Sequence, residues 1–379
     1  MQRLPLFLRL GTPGTLGTLA ALAALGALGA LAAACSGAPP EPAVPPPSPP
    51  PAPVVEPVAS ATAAEPVASV PPPLASAAPV VTGPTSCPEG MKLVEGDYCS
   101  EVEHKCLKSW FDKSNKKTIC EEFEPTAKCV GDRARKRYCI DTYEWPNRKG
   151  ERPEVMNRFH QAEVKCAAVG KRMCTESEWT LACEGPEMKP FPYGYVRDAG
   201  KCNGDHPWDG PNMKKVAKRD AGELARLWHG VPSGSQDQCI SDYGVADLPA
   251  NTDEVVASEQ LKGERAKFDS VHSGGPWYKG VRNQCRPKIY THNEDFYYYF
   301  LSFRCCAEPD GKPTDPRTPR QIRENWPMSR VEKSAQFTLG QMKDKLEQKK
   351  AGQCACPAQD VLCKTMCGTL LGPGAVDGR

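Results

Sequence analysis

The segment SGGPWYKGVRNQCRPK, residues 273–288, places a cysteine between two arginines, and this arrangement permits two kinds of chemistry. As a free thiol, Cys285 would have its pKa lowered by Arg282 and Arg286, which favours the nucleophilic thiolate. As one half of a disulfide, it would only brace the fold. The chain has 19 cysteines at irregular spacings and no repeated C-x-x-C motif, which is typical of a disulfide-rich exported protein. The sequence therefore favours the disulfide interpretation of Cys285.

The amino terminus predicts export. Arg3 and Arg9 precede an apolar run, LAALAALGALGALAAAC, that ends at Cys35. The arrangement resembles a bacterial lipoprotein signal over residues 1–35, in which the cysteine becomes the first mature residue and carries lipid. Ala32 stands where such signals usually have a larger aliphatic residue, so ordinary secretion and an uncleaved membrane anchor are the alternatives. We expect an exported protein of the bacterial cell envelope, lipid-anchored in the outer membrane or periplasm.

Charge and composition exclude one class of function and separate a tether from the folded part. The 48 Lys and Arg residues nearly balance the 46 Asp and Glu residues. A nucleic-acid binder needs a basic surplus, so we expect no nucleic-acid partner. Residues 36–86 are rich in proline and alanine and lack aromatic residues, which predicts a disordered, extended tether.

The rest of the chain divides into three predicted parts. Six cysteines fall within residues 87–139, which predicts a cysteine-rich lead segment, residues 87–137, made of stapled loops and short turns. Residues 138–308 are expected to form the main domain and residues 309–379 a tail. Removal of Cys35 leaves 18 cysteines, an even number that can pair completely.

Two helices are predicted in the main domain. FHQAEVKCAAVG, Phe159 to Gly170, has the apolar spacing of an amphipathic helix and ends in glycine. CTESEWTLACEG, Cys174 to Gly185, has Thr175 as a candidate N-cap and Glu178 three residues later, which is the pattern of a capping box.

The tail predicts one long helix followed by a cysteine cluster. RVEKSAQFTLGQMKDKLEQKKAG is interpreted as a single amphipathic helix that ends at Gly352. Two disulfides are favoured for the cluster, and a four-thiolate zinc site is the alternative. The four cysteines are Cys354, Cys356, Cys363 and Cys367.

Six short motifs follow one another between residues 138 and 307. They are YCIDTYEWPN (138–147), GKRMCTESEWTLACEG (170–185), FPYG (191–194) with the following CNG, YGVADLPANTDEVV (243–256), SGGPW (273–277) and LSFRCCA (301–307). In this order they resemble the formylglycine-generating enzyme family, also called the sulfatase-modifying-factor domain. The resemblance implies an α+β fold of the complex C-type-lectin-like kind, with little regular secondary structure, here rich in disulfides.

The family's copper site departs from its pattern in this chain. Members oxidise a client cysteine to formylglycine with oxygen, using two cysteines that hold copper(I). Lys279 stands where the resemblance places the first of these cysteines, and Cys285 lies near the position of the second. An ammonium group repels copper(I), and one thiolate cannot form a two-sulfur site. No catalytic residue is therefore expected; Cys285 is one only if the alternative holds, a copper-dependent oxidase that matures sulfatases.

The resemblance also implies structural calcium. The first site would combine two carboxylates with two backbone carbonyls, an oxygen shell of the kind that calcium accepts. Its ligands would be Asp247, Ala250, Thr252 and Glu254. Asn203 and Gly204 resemble the first pair of a second calcium site. A polar turn without metal is the alternative.

An aromatic run suggests recognition. Phe296 to Phe300 are five consecutive aromatic residues, and in an extended strand alternate side chains would face outward. Exposed tyrosines suit a peptide or a glycan. We therefore expect an envelope-tethered binding or scaffold module whose partner is a peptide or glycan on envelope or exported proteins. A structural envelope lipoprotein is a further alternative.

Overall fold

A computed structural model describes residues 86–113, 116–278 and 280–370, all of which belong to the unit Ala77–Arg379. The predicted signal sequence, Cys35 and the tether apart from Ser86 lie outside the described residues, and so does Lys279. With these gaps, the structure covers the predicted lead segment, main domain and tail.

The strands are mostly short and form two four-stranded sheets and two small ribbons. They are β1 (Met91–Cys99), β2 (Val102–Glu103), β3 (Cys106–Asp112), β4 (Lys117–Phe123), β5 (Lys128–Cys129), β6 (Arg133–Asp141), β7 (Arg172–Met173), β8 (Asp253–Ala257), β9 (Ser270–Ser273), β10 (Lys288–Ile289), β11 (Leu301–Ser302) and β12 (Cys305–Ala307). The first sheet has the order β1-β6-β12-β7 and the second has the order β10-β9-β8-β11. Strands β2 and β5 form one ribbon, and β3 and β4 form the other.

The helices are short, and long loops connect many of them. They are α1 (Phe159–Ala168), α2 (Glu176–Glu184), α3 (Met213–Ala217), α4 (Ala221–Leu227), α5 (Pro319–Arg323), α6 (Met328–Ala335), α7 (Leu339–Lys350) and α8 (Val361–Cys367). Among the described residues, one 3-10 turn covers Glu264–Ala266. This combination of small sheets, short helices and disulfides confirms the predicted α+β, disulfide-rich fold class.

Helix α2 connects the two sheets and was predicted correctly. Thr175 accepts a hydrogen bond from the Glu178 backbone, and the Glu178 carboxylate accepts one from the Thr175 backbone, which completes the capping box. Trp179 and Cys183 are fully buried on the same face, in a core cluster that also contains residues of β6, β8 and β9. The loops that leave both sheets therefore converge around α2.

Helix α1 also forms where it was predicted, but it is not amphipathic. Nine of its ten residues are buried, because α6 and α7 of the tail pack against the side that would otherwise face solvent. The helix ends before Gly170, whose backbone φ of +74° is the left-handed conformation that favours glycine.

The lead segment contains regular strands, which corrects the prediction of stapled loops and short turns. Strand β1 pairs antiparallel with β6 over nine residues, and β3 pairs with β4. Strand β6 also crosses the predicted boundary between residues 137 and 138. Cysteine density suggested irregular structure, yet Cys106–Cys120 links the paired strands β3 and β4, Cys99–Cys129 links β1 to β5, and Cys87 is linked to β6.

The tail has two helices where one was predicted. The chain leaves α6 at Gln336, whose φ of +70° is left-handed, and α7 begins after Thr338, which forms a capping box with Gln341. The pattern Thr-x-x-Gln is a helix start signal within the run that was interpreted as continuous. The break lets Phe337 turn into the core, where it is buried beside Val164.

Nine disulfides join all the cysteines from Cys87 to Cys367. They are Cys87–Cys139, Cys99–Cys129, Cys106–Cys120, Cys166–Cys305, Cys174–Cys306, Cys183–Cys285, Cys202–Cys239, Cys354–Cys367 and Cys356–Cys363. A set of this size indicates an oxidising, extracytoplasmic environment. Within the described ranges, no helix combines the length and the apolar character that a bilayer span requires.

Candidate functional site

Cys285 forms a disulfide with Cys183, which confirms the brace interpretation. Cys183 lies on α2, and Cys285 lies in the loop after β9, where its backbone N–H donates to the Pro190 carbonyl over 2.9 Å. Both cysteines are fully buried. A sulfur in a disulfide is neither a thiolate nor a soft metal ligand, so the link holds the loop against α2 and does no chemistry of its own.

The two arginines beside Cys285 also have structural partners. Arg282 donates to the Asp253 carboxylate over 2.7 Å and to the Gly274 carbonyl over 3.0 Å. Arg286 donates twice to the carboxylate of Glu184, over 2.6 Å each time. Neither guanidinium has a thiolate to stabilise, and the residues described here do not fit a copper(I) centre. Lys279, where the resemblance places the other copper cysteine, lies outside them.

The Gly-Gly turn is a packing device in this chain. Gly274 has a φ of +73°, and a Cβ on it would lie 2.7 Å from the Pro249 carbonyl oxygen and 3.1 Å from the Trp179 ring. The backbone N–H of Gly275 donates to the same carbonyl over 2.8 Å. Only glycine permits this approach, which seats the loop of Cys285 on the loop of the predicted calcium ligands.

Glu254, a predicted calcium ligand, forms a buried salt bridge with Arg304. The two carboxylate oxygens accept from Arg304 over 2.7 and 2.8 Å, and one of them also accepts from the Trp179 indole over 3.1 Å. The other donors of Arg304 point to the carbonyls of Asp141, Thr142 and Ala246. All five guanidinium N–H groups are thereby used, and both residues are almost completely buried. A guanidinium thus occupies the carboxylate that calcium was expected to use.

A buried carboxyl pair, Glu144 with Asp247, lies beside this salt bridge. Sequence reasoning did not single out Glu144. Burial, together with the neighbouring charge of Asp247, raises the pKa of Glu144 to about 8, and burial raises the pKa of Asp247. The backbone N–H of Gly234 donates to Asp247 Oδ2 over 2.7 Å, while Asp247 Oδ1 is buried without an ordinary donor. A proton on Glu144 would complete the hydrogen bonding of the pair by donation to Asp247.

The surroundings of the pair supply hydrogen-bond donors. Glu144 accepts from the Asn251 amide over 2.8 Å, from the Ser233 hydroxyl over 2.7 Å and from the Thr252 hydroxyl over 3.3 Å. Donors of this kind stabilise carboxyl groups without metal, whereas calcium requires six to eight oxygens turned inward. Glu144 thus has three N–H or O–H donors, and the Gly234 backbone supplies one to Asp247.

The remaining predicted calcium ligands also have protein partners. The Ala250 carbonyl accepts from the Thr252 backbone over 2.9 Å. The Asn203 side chain donates to Asn251 over 3.1 Å, and the Gly204 carbonyl accepts from Arg197 and Asn283 over 3.3 Å each. The structure brings the two predicted sites together, since the Asn251 backbone donates to the Asn203 carbonyl. Most of the groups that were expected to face calcium therefore contact protein donors, and calcium binding stays a prediction.

The aromatic run forms a loop, not the extended strand assumed from the sequence. Tyr299 and Phe300 are buried, while Tyr297 and Tyr298 are partly exposed. In an extended strand, neighbouring side chains would point to opposite faces. In this loop they do not alternate, and the neighbouring Tyr297 and Tyr298 are both partly exposed.

We give the name aromatic platform to four side chains: Trp208, Met213, Tyr297 and Tyr298. Trp208 joins the group through Tyr299, which hydrogen-bonds to its side chain and whose ring centre lies 4.6 Å from that of Tyr298. Trp208 is 61% exposed and Met213 is 55% exposed. The Tyr298 hydroxyl lies 3.3 Å from the Met213 sulfur, and the guanidinium of Arg219 lies 4.3 Å from the centre of the Tyr297 ring. Trp208 was not recognised from the sequence, because its surroundings carry no motif.

The carboxyl-terminal cysteines form the two disulfides that were favoured, Cys354–Cys367 and Cys356–Cys363. The sulfurs of Cys356 and Cys367 lie 3.4 Å apart, so the two disulfides are in contact. With all four sulfurs crosslinked, the cluster does not fit a four-thiolate zinc site.

Comparisons with known proteins give distant structural matches alone. No protein-family model matches the chain, and no curated protein is significantly similar in sequence. PvdO from Pseudomonas aeruginosa is 13% identical with a TM-score of 0.35, covering 57% of this chain and 93% of its own. CarF is 14% identical with a TM-score of 0.34, covering 59% and 98%. Treponema denticola variable protein 1 is 12% identical with a TM-score of 0.34, covering 53% and 99%. All three have folds of the formylglycine-generating enzyme-like, C-type-lectin-like kind, at similarities too low to assign this chain to a family.

Proposed function

We propose that the chain is a non-catalytic binding or scaffold module, built on a formylglycine-generating enzyme-like domain and tethered to the bacterial envelope. The observation that carries the proposal is the aromatic platform, where Trp208 is 61% exposed although Trp145, Trp179 and Trp277 are buried. Exposed aromatic and methionine side chains are unfavourable in water and are enriched at recognition surfaces.

The platform favours a glycan over a peptide. Flat ring faces stack on the apolar faces of sugars, and the hydroxyl of Tyr298 and the indole of Trp208 can hydrogen-bond to sugar hydroxyls. Arg219 and Arg158 lie over the Tyr297 ring at 4.3 and 5.7 Å, which adds positive charge beside the rings. A glycan with acidic groups fits this combination, and a peptide is the competing outcome of the test.

Tethering belongs to the same proposal. Lipid on Cys35 and the proline-rich segment 36–86 would hold the domain away from a membrane, in line with the oxidising environment that the disulfides indicate. Mass spectrometry of the mature amino terminus checks this part on its own. An unmodified Cys35 would remove the lipid anchor and leave the binding proposal in place.

A glycan and peptide array tests the binding proposal. We expect glycan binding by the purified domain and its loss in Trp208→Ala and Tyr297→Ala. Phe111→Ala is the matched control, because Phe111 is 58% exposed on β3. The proposal fails if no class of ligand is retained, which would favour a structural lipoprotein, or if the control loses as much binding as the platform variants.

The oxidase alternative has a separate assay. Copper-loaded protein is incubated with a peptide that contains C-x-P-x-R, and the aldehyde is sought by mass spectrometry. We expect no aldehyde, because Cys285 is crosslinked to Cys183. Copper-dependent aldehyde formation that is lost in Cys285→Ser would establish the oxidase instead.

A further inference from the structure

A cavity of about 600 Å³ lies between α7 and the loop that follows β6. Its walls are residues 145–148, the end of α1 and one face of α7. The volume falls in the range of about 300–1,000 Å³ that small-molecule sites occupy. The predicted main domain supplies one wall, which includes motif residues such as Trp145 and Lys171, and the tail, which carries none of the motifs, supplies the other.

The inner surface of the cavity is apolar. Trp145, Ala168, Val169 and Leu346 line it. Leu346 packs against the core cluster that contains Trp145, which joins the cavity floor to the core. Val169, at the end of α1, is 42% exposed. The floor therefore offers apolar contact to a ligand.

The rim of the cavity is cationic. Five basic and two acidic side chains line it. Both acids already have partners: Glu154 lies 2.5 Å from Lys165 and 3.3 Å from Lys349, and Glu347 lies 2.7 Å from Lys350. The side chain of Lys343 has no ion pair among the described residues. Arg148 and Lys171 are also paired, with Glu151 and Asp141. Lys343 therefore supplies the positive charge at the mouth that has no partner among the described residues, and this charge favours an anion.

The tail wall is held in place by the disulfide cluster. The hairpin that carries Cys354–Cys367 connects α7 to α8. Lys165, fully buried on α1, donates to the Thr365 carbonyl of α8 over 2.7 Å and to Glu154 over 2.5 Å. Glu154 also pairs with Lys349 of α7 over 3.3 Å, so these contacts link the two walls without a ligand. A preformed site loses less ordering entropy on binding.

We propose that this cavity binds a small amphiphilic anion, a molecule with an apolar body and one carboxylate or phosphate head. The body would contact Trp145 and Leu346, and the head would lie near Lys343 and Lys350 at the mouth. The inference is independent of the aromatic platform, because no residue is shared by the two surfaces.

The test uses decanoate as the probe and isothermal titration calorimetry as the readout. We expect decanoate to bind, and neither decylamine nor decanol to match it. Leu346→Trp fills the floor and should abolish binding. Lys343→Glu with Lys350→Glu reverses the rim charge and should weaken binding about tenfold or more. The matched control is Lys117→Glu with Lys128→Glu, two exposed lysines of the lead segment, which should leave the affinity unchanged.

Three results would overturn the proposal: no decanoate binding, equal binding of decylamine, or decanoate binding that survives Leu346→Trp. Vesicles that contain phosphatidylglycerol distinguish a free amphiphile from a lipid in a bilayer. Sedimentation of the protein with these vesicles, without any affinity for free decanoate, would assign the cationic rim to a membrane surface and contradict the cavity proposal. Far-ultraviolet circular dichroism confirms that each variant is folded.

Discussion

The centre of the molecule and its open surfaces use the same residue types in opposite ways. At the centre, Arg304 directs every N–H group to a protein oxygen, and Trp179 is fully buried with its indole bonded to Glu254. At the surface, Trp208 is 61% exposed, and Lys343 has no ion pair among the described residues. The central groups have no capacity left for a ligand, whereas the peripheral ones do.

This contrast separates the residues that specify the fold from those available for binding. The motifs that resemble an enzyme family supply the glycine turn, the buried salt bridge and the central disulfide. The platform lies outside these motifs, and the cavity combines motif residues such as Trp145 with helix α7 of the tail, which carries no motif. A search for function that follows the motifs alone therefore finds mostly packing residues, and the two binding surfaces were found from exposure and charge.

Removal of the central arginine should have the largest effect. Arg304→Met leaves Glu254 buried without a counter-charge, and we expect a loss of about 3–5 kcal/mol of unfolding free energy. Denaturant titration measures this. Arg135→Met is the surface control, since Arg135 forms only exposed ion pairs with Glu95 and Asp97, and it should leave the midpoint almost unchanged. A surface ion pair contributes about 1 kcal/mol or less. If Arg304→Met lowered the free energy of unfolding by no more than this, the difference between the centre and the surface would be contradicted.

Removal of a central disulfide should destabilise the fold more than removal of a peripheral one, with a smaller difference than between Arg304→Met and Arg135→Met. Cys183→Ala with Cys285→Ala removes a buried link, opens a gap in the core and should cost toward the upper end of about 2–5 kcal/mol. Cys106→Ala with Cys120→Ala removes a link in the β3–β4 ribbon that spans 14 residues, and should cost toward the lower end of that range. Equal decreases in melting temperature for the two variants would show that the Cys183–Cys285 disulfide does not brace the core.

Stability should fall as pH rises, because of the carboxyl pair. Glu144 has a pKa of about 8 in the folded chain and about 4.3 when unfolded, so the native state binds the extra proton. The stabilisation from this proton is fully present below the pKa of Glu144 in the unfolded chain. It is lost as pH rises through the pKa of Glu144 in the folded chain. Glu144→Gln should flatten this slope by up to about 1.4 kcal/mol per pH unit. Urea unfolding midpoints measured between pH 5 and 8 report this slope. Parallel plots of midpoint against pH for the wild-type protein and Glu144→Gln would exclude the extra proton on Glu144.

Calcium should have the smallest effect. The predicted ligands already have protein partners, so we expect equal melting temperatures with calcium and with chelator. A ligand at a hundred times its dissociation constant stabilises by about 2.7 kcal/mol. A calcium-dependent rise of that size, lost in Asp247→Asn, would restore the site implied by the family resemblance.

Local signals predicted part of this architecture, and contacts between distant segments determined the rest. Helix α2 was predicted because its capping box lies within four residues, and the same signal at Thr338 was overlooked inside a long polar run. The partner of Cys285 was not predictable, since nothing near residue 285 marks Cys183. Glu144 and Asp247 lie about a hundred residues apart in the chain, and only folding makes them a pair.

Disulfide mapping of the purified, non-reduced protein tests the central claim most directly. After alkylation of free thiols and proteolysis, mass spectrometry should recover one crosslinked species that contains Cys183 and Cys285, with neither cysteine alkylated. Recovery of alkylated Cys285, together with stoichiometric copper in the same preparation, would contradict the account and return the loop after β9 to catalysis.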